Sequence, residues 1–301
     1  MASFTNSAVF LTLFLAYYGN TISARILSKN NTIPATRASS CSCGMSTARK
    51  TARIINGTSA FVGEFPWRCI VYTTKSNSFC TGTIISRGIV MIAAHCLDPL
   101  VPTDGIVVDV GDLDMGSTTE TPSFWTAARA YAKHPSYDRA TLKNDIALVY
   151  LQTPLTFSPT IQPTCLPFPL KGLNLVLSRV SVSRWGMTSY GGSVSEKLMK
   201  AEMLVLPEFM CRSSFGTAWP ETNLWVGKQG KSACSGDSGG GADLFNPANR
   251  RWSPGVTSAV APGCDTNAPN IFTRVTNHLD WILTMSSKLW DVGGLVYGNN
   301  K

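Results

Sequence analysis

The sequence has little charge, no acidic residue near its N-terminus and no apolar run of membrane-spanning length there. Charged residues make up 15% and hydrophobic residues 44% of the 301 residues, which excludes both a disordered chain and a bundle of membrane helices. Residues 1–53 contain six basic residues and no acidic one, and the other 20 basic and 18 acidic residues leave a net charge of only +2. We therefore expect no nucleic-acid partner, although the whole chain carries +8.

Residues 1–24 are predicted to be a secretory signal peptide. A mostly apolar run at residues 8–18 precedes the small residues Ser23 and Ala24, near which we expect cleavage. No basic side chain precedes the run, which is unusual for a signal peptide. The alternative, a membrane anchor, needs about 20 apolar residues, and this run is shorter. Nine cysteines also fit an oxidising compartment, so we predict a secreted, extracellular protein without a membrane partner.

Residues 25–53 are polar and basic and are predicted to be a loose pro-segment. Asn30 and Asn56 each begin a glycosylation acceptor sequence. The segment also holds Cys41 and Cys43, for which the secreted context favours a disulfide over a metal or redox site. Because nine is an odd number, at least one thiol is free or joins another chain.

Short strand-like segments separated by turn residues occur in two groups. The first group covers residues 67–74, 79–85, 89–94, 106–110, 127–132 and 146–151. The second group covers residues 175–182, 198–206, 252–260 and 271–275. Five prolines between positions 154 and 169 mark a linker between the groups. This pattern predicts an all-β barrel or sandwich, and Thr276 is a candidate cap for a terminal helix with Leu279, Ile282 and Leu283 on one face.

A glycine-rich stretch at residues 231–241 surrounds Asp237 and Ser238. Glycines allow unusual backbone angles and close approach, so the N–H groups of Gly236 and Ser238 could point into one cavity and stabilise an oxyanion. A serine nucleophile needs a base that takes its proton. Taken alone, the stretch is equally compatible with a glycine-rich surface turn.

A base and an acid are available upstream of this serine. His95 follows the apolar run at residues 89–92, and Asp145 begins another apolar run. The order His95, Asp145, Ser238 is one of the known orders of the Ser-His-Asp triad. His95 would take the proton of Ser238, and Asp145 would fix the histidine tautomer. The other two of the three histidines, His134 and His278, are interpreted as surface or packing residues.

These motifs, with Arg-Ile-Ile-Asn-Gly at residues 53–57 and Asn-Ala-Pro-Asn-Ile-Phe-Thr-Arg-Val at residues 267–275, resemble the trypsin/chymotrypsin-like serine proteases. The resemblance runs from Ile54 to the C-terminal helix and makes residues 54–301 the protease domain. It implies two six-stranded antiparallel β-barrels with the active site in the cleft between them. It also implies a zymogen that is cut after Arg53, so that the new ammonium group of Ile54 pairs with buried Asp237.

The resemblance further implies three disulfides. Cys80 would bond Cys96, and Cys234 would bond Cys264. Cys165, in the linker, would bond a cysteine of the pro-segment, with Cys41 and Cys43 both open as the partner. Cys69 and Cys211 have no expected partner.

Ser232 occupies the pocket-base position at which trypsin-like members carry Asp. A neutral base cannot compensate a buried cation, so cleavage after Arg or Lys is disfavoured. Ser258, Val260 and Asn270 would form the rest of the substrate-binding pocket, and a side chain at Asn270 would narrow it. Chymotrypsin-like and small-apolar, elastase-like preferences both stay open. Gly241 replaces the proline usual after Gly-Asp-Ser-Gly-Gly.

The predicted function is that of a secreted serine endopeptidase with polypeptide substrates, protease inhibitors as further partners and no cofactor. Because its own pocket should reject Arg53, activation would need a separate trypsin-like protease. The alternative is a catalytically inactive, protease-like binding protein. Asp112, Asp114 and Glu120 lie where some members hold calcium, but we interpret them as a solvated loop and predict no metal.

Overall fold

The computed structural model describes residues 42–47, 58–74, 79–98, 100, 105–117, 119–187, 191–210, 222–227, 238–245, 250–260 and 268–289. The strands are β1 (Thr58–Ser59), β2 (Arg68–Thr73), β3 (Phe79–Ser86), β4 (Ile89–Ile92), β5 (Ile106–Val110), β6 (Phe124–Lys133), β7 (Ala147–Leu151), β8 (Arg179–Arg184), β9 (Met199–Leu206), β10 (Asn223–Gly227), β11 (Gly241–Phe245), β12 (Arg251–Ala259) and β13 (Asn270–Arg274). The α-helix α1 (Leu279–Leu289) follows β13, and among the described residues short 3₁₀ helices span Ala94–Leu97, Phe168–Leu170 and Val275–Asn277. Within this described part of the chain, none of the helices has the length and apolar character needed to cross a bilayer.

The strands form two closed antiparallel barrels. The first has the order β2-β3-β4-β7-β6-β5 and closes through the pairing of β2 with β5. The second has the order β9-β10-β13-β12-β11-β8 and closes through the pairing of β8 with β9. Strand β1 adds to the outside of the second barrel, where Thr58 pairs with Lys200. The predicted fold of two six-stranded barrels with a C-terminal helix is confirmed.

Strand β7 is buried on both faces, which is why its sequence does not alternate between apolar and polar residues. Ala147, Val149 and Leu151 point into the first barrel, whereas Leu148 and Tyr150 pack on the outside against a cluster that includes Ile282 of α1. Both faces of the strand are therefore buried, and all five of its residues are apolar or aromatic. This packing fixes the N-terminal end of β7, which Asp145 precedes.

One predicted strand and the terminal helix begin later than the sequence-based expectation. The strand predicted to start at residue 175 begins only at Arg179, because Leu177 has a φ of 66°, which an extended strand does not allow. The terminal helix begins at Leu279, after a 3₁₀ turn that contains Thr276, so Thr276 is not its cap.

Residues 42–47 of the predicted pro-segment are bound to the body of the protein. Cys43 is bonded to Cys165, and both residues are buried. Next to this bond, the Gly44 N–H donates to the Pro163 carbonyl at 2.8 Å, and the Arg251 N–H donates to the Gly44 carbonyl at 2.9 Å. Gly44 has a φ of 64°, and a Cβ atom there would lie 2.3 Å from the Arg251 carbonyl oxygen, so the approach requires glycine.

Candidate active site

His95 and Asp145 meet at the ends of two neighbouring strands. His95 lies in the 3₁₀ turn after β4, Asp145 lies just before β7, and the two strands pair through Ile92 and Ala147. The His95 N–H donates to Asp145 Oδ1 at 2.9 Å, and His95 Nδ1 lies 2.7 Å from Asp145 Oδ2. A carboxylate only accepts, so Nδ1 carries the proton and Nε2 of the neutral ring keeps its lone pair. The His95 side chain is 25% exposed, so this base is accessible from solvent.

Asp145 is fully buried, and the second barrel supplies two further contacts to it. Ser258 of β12 donates its hydroxyl to Asp145 Oδ2 at 2.5 Å. Thr273 of β13 donates its hydroxyl to the Asp145 carbonyl at 2.8 Å. The acid therefore bonds to both barrels. Sequence reasoning assigned Ser258 to the pocket wall and missed its contact with Asp145.

Ser238 lies where the two barrels approach each other. The Thr81 N–H of β3 donates to the Ser238 carbonyl at 3.0 Å, and the Gly239 N–H donates to the Thr257 carbonyl of β12 at 2.9 Å. Gly239 has a φ of 78°, and a Cβ atom there would lie 2.4 Å from the Thr81 carbonyl oxygen and 2.8 Å from Ile92 Cγ1. Only glycine fits at this position, and it keeps the Ser238 backbone next to the end of β4, from which the His95 turn starts.

The turn that carries His95 is held at both ends. Cys96 is bonded to Cys80 of β3. Asp98 accepts hydrogen bonds from Lys133 and, at 2.8 Å, from the hydroxyl of Tyr137. Burial acts to raise the pKa of Asp98, but these hydrogen bonds outweigh it and lower the pKa. The ionised Asp98 thus ties the end of the turn to β6 and the segment after it.

Two of the predicted pocket residues lie at adjacent strand ends. Ala259 pairs with Ile271, so Val260 follows the end of β12 opposite Asn270 at the start of β13. Asn270 is fully buried, and its amide donates to the Val226 carbonyl at 3.4 Å.

The remaining predicted site residues lie outside the described residues. They are Ser232 at the pocket base, Gly236 of the oxyanion hole, Arg53, Ile54 and Asp237 of the activation step, and Cys234 and Cys264 of the third disulfide. Their roles stay predictions. Cys41 and Cys211 also lie outside, whereas Cys69 is buried and not in a disulfide.

The carboxylates of the loop that holds Asp112, Asp114 and Glu120 contact the loop itself, and Asp114 Oδ2 also lies 3.5 Å from Lys197 Nζ. Asp112 Oδ1 and Glu120 Oε1 both accept from the Asp114 N–H at 2.9 Å. Asp109, on the adjoining strand, is almost fully buried, and burial together with the charge of Asp112 raises its pKa to about 7. Among the described residues, donor atoms of three potential metal ligands converge only at Cys80, His95 and Cys96, where the two sulfurs are bonded to each other.

One contact near the site involves a histidine that sequence reasoning assigned to the surface or to packing. His278 is only 2% exposed, and its Nε2 lies 3.1 Å from Oδ1 of Asn144, the residue before Asp145. The two residues are 134 positions apart, so no local pattern could show the contact.

Two closed six-stranded barrels followed by a helix, with a solvent-accessible histidine bonded to a buried aspartate between them, define the trypsin-like class of proteins. The family model described as Trypsin matches residues 54–282, and the chain belongs to the trypsin family. It is 32% identical over 260 residues to serine proteinase stubble of Drosophila melanogaster, covering 80% of this chain and 32% of that protein. It is 32% identical over 256 residues to transmembrane protease serine 9 of Rattus norvegicus, covering 82% of this chain and 23% of that protein. Serine protease filzig of Drosophila melanogaster is 26% identical over 289 residues, covering 90% of this chain and 17% of that protein. The chain thus spans a third or less of the length of these relatives.

Proposed function

We propose that this chain is a secreted serine endopeptidase, made as an inactive precursor, in which Ser238, His95 and Asp145 hydrolyse peptide bonds. The observation that carries the proposal is the 2.7 Å contact between His95 Nδ1 and the fully buried carboxylate of Asp145. Membership of the trypsin family and the position of Ser238 beside the His95 turn support the same assignment.

In the proposed reaction, Ser238 Oγ attacks the carbonyl carbon of the scissile bond while His95 Nε2 takes the hydroxyl proton. His95 then returns this proton to the leaving amine, and water hydrolyses the acyl-enzyme by the same steps. Asp145 stabilises the imidazolium that forms at each proton transfer. The N–H groups of Gly236 and Ser238 would stabilise the oxyanion of the tetrahedral intermediates.

Activation is proposed to occur by cleavage after Arg53. The ammonium group of Ile54 would then be free to pair with Asp237, which orders the oxyanion hole and the pocket. Strand β1 supports this step, because Thr58 is paired to the second barrel and Ile54 is only four residues away. A chain of that length reaches at most about 14 Å from its anchor.

The proposed substrates are polypeptides cleaved after apolar residues. Ser232 offers no charge to a buried guanidinium or ammonium group, so cleavage after Arg or Lys is disfavoured. Val260 and Asn270, adjacent at two strand ends, would limit the size of the accepted side chain. The same pocket should reject Arg53, so a separate trypsin-like protease is the proposed activator.

Purified precursor, incubated alone or with catalytic trypsin and then treated with a covalent serine-directed probe, tests these proposals together. We expect the precursor alone to stay silent and the trypsin-treated chain to take up the probe and cleave peptides. Ser238→Ala should abolish labelling and turnover, since the triad acts as a unit. Ser287→Ala, at an exposed serine of α1, should behave as wild type.

Two outcomes would contradict the proposals separately. An activated wild-type chain that takes no label at Ser238 would favour the inactive binding protein. Spontaneous activation that creates an Ile54 N-terminus, at a rate second order in enzyme, would show that the pocket accepts arginine.

A further inference from the structure

The strongest unexplained feature near the site is the buried imidazole of His278, which joins the start of α1 to the residue before Asp145. His278 Nδ1 lies 2.9 Å from the Arg274 carbonyl, and Nε2 lies 3.1 Å from Asn144 Oδ1. The ring is 2% exposed, so water cannot replace either contact at low cost. This ring and the ring of His134 pack perpendicular to each other, with 5.1 Å between the ring centroids, which further fixes the orientation of His278.

Asn144 is the residue through which this contact can reach the active site. It has a φ of 53°, in the left-handed region that asparagine tolerates better than most residues. Its side-chain Nδ2 donates to the Ser136 carbonyl at 2.8 Å, while its backbone carbonyl accepts from the Ile146 N–H at 2.8 Å. Asn144 therefore sets the direction in which the chain enters Asp145. On the other side, Thr273 binds the Asp145 carbonyl, so the backbone of the acid is held from both directions.

We propose that His278 is a positioning residue for Asp145, acting through the side-chain amide of Asn144. The inference rests on the proposed catalytic role of Asp145. It adds that the direction of its carboxylate toward His95 depends on a hydrogen bond made outside the triad.

The partner of Nε2 is an acceptor, because Asn144 Nδ2 already donates to the Ser136 carbonyl and Oδ1 faces the ring. In this contact Nε2 therefore carries a proton and donates it to Asn144 Oδ1. Burial lowers the pKa of His278, against the effect of the Arg274 carbonyl, so the neutral ring is favoured, and its single proton belongs on Nε2. Glutamine at position 278 has side-chain N–H donors for the same Oδ1 atom, which makes it the matched rescue variant.

The test compares His278→Phe, His278→Gln and Asn144→Gly in the full chain activated by trypsin. Phenylalanine keeps an aromatic ring against His134 but makes no hydrogen bond, and glycine tolerates the φ of position 144 but has no amide. For His278→Phe and Asn144→Gly we expect kcat to fall about tenfold with KM nearly unchanged, because both variants lose the His278–Asn144 hydrogen bond that acts on the reacting groups. His278→Gln should recover most of the loss.

The double variant separates positioning from general destabilisation. If His278 acts through Asn144, the double variant His278→Phe/Asn144→Gly should have a kcat no lower than the poorer single variant. A double variant whose loss is the product of the two single losses would overturn the proposal, and so would a His278→Phe enzyme within twofold of wild-type kcat. Asp280→Asn, two residues along the chain and exposed in its pair with Lys171, is the control and should change nothing.

A spectroscopic measurement distinguishes failure of this inference from failure of the proposed function. The proton on His95 Nδ1, bonded to Asp145, should give a downfield NMR signal in chain labelled with nitrogen-15 histidine. We expect this signal to shift or broaden in His278→Phe and to return in His278→Gln. A perturbed signal in a chain without Ser238-dependent turnover would keep the positioning role and remove the protease assignment. An unperturbed signal in His278→Phe would overturn the positioning role whatever the activity.

Discussion

The buried guanidinium of Arg68 gives the sharpest prediction about stability. Arg68 of β2 lies in an ion pair with Asp243 of β11, with 2.6 Å between Nη2 and Oδ2 and no exposure of either side chain. Its Nε donates to the Ser183 hydroxyl at 2.9 Å, and its Nη1 donates to the Thr83 hydroxyl at 2.6 Å. The cation thus joins the two barrels through Ser183 and Asp243, which both belong to the second barrel.

The carboxylate of Asp243 is equally well bonded. The Trp67 indole N–H donates to Oδ2 at 3.0 Å, and the Ser253 hydroxyl donates to Oδ1 at 2.6 Å. Arg68→Met would leave this carboxylate buried with two neutral donors and without its hydrogen-bonded cation. Breaking a buried pair from one side costs about 3–5 kcal/mol, a large part of the roughly 5–15 kcal/mol that stabilises a typical domain.

The matched control removes both charges. In Arg68→Met/Asp243→Asn, the asparagine oxygen can still accept from Trp67 or Ser253, and neither member of the pair is left as an unpaired charge. We therefore expect the double variant to lose much less stability than either single variant, because the largest cost in each single variant is the uncompensated charge.

Urea unfolding followed by far-UV circular dichroism, with disulfides intact, measures these differences. Ser238→Ala serves as the background so that self-digestion cannot distort the curves. A loss below about 1 kcal/mol in Arg68→Met would refute the reasoning, since such a value is typical of an exposed pair. A double variant that loses the sum of the two single losses would show that the charges do not compensate each other.

Two further predictions concern pH and the pro-segment. Because the pKa of Asp109 is raised from 3.8 to about 7, the folded chain binds more protons than the unfolded chain between these values, and stability falls as pH rises through this range. Asp109→Asn should therefore be more stable than wild type in urea unfolding at pH 8, with the difference shrinking toward pH 4, and a difference independent of pH would contradict this. After cleavage at Arg53, Cys43→Ser should release the pro-segment on a non-reducing denaturing gel while Cys41→Ser keeps it attached, since the bond to Cys165 is made by Cys43. Retention in both variants would show that Cys41 can replace Cys43.

The fold was predictable where an apolar run stands between turn residues, and less so beside glycine-rich segments. The predicted segment at residues 106–110 coincides with β5, and the one at residues 198–206 differs from β9 by one residue. Strands β1, β10 and β11 were missed: β1 has only two residues, β10 ends at Gly227, and β11 begins at Gly241 in the glycine-rich stretch. Their pairing partners, which are distant in sequence, stabilise them as strands.

Some residues of the candidate site could be predicted from the sequence and others could not. His95 and Asp145 stand in recognisable local motifs, so their meeting could be predicted. Ser258 and His278 bind the Asp145 segment from 113 and 134 residues away, and neither position is marked by its neighbours in sequence. Such contacts are properties of the barrel packing and become visible only when the two barrels are assembled.

Gly241 stands where the family usually has proline, and its presence depends on Arg68, a residue distant in sequence. A Cβ atom at position 241 would lie 2.4 Å from Nη2, 2.6 Å from Nη1 and 2.7 Å from Cζ of Arg68. The guanidinium group therefore occupies the volume that any larger residue at 241 would need. It can lie there only because Asp243, two residues along β11, compensates its charge. These three residues form one unit: the cation requires the acid for its charge and the glycine for its space. A proline or alanine at 241 thus requires the guanidinium at 68 to leave its present position.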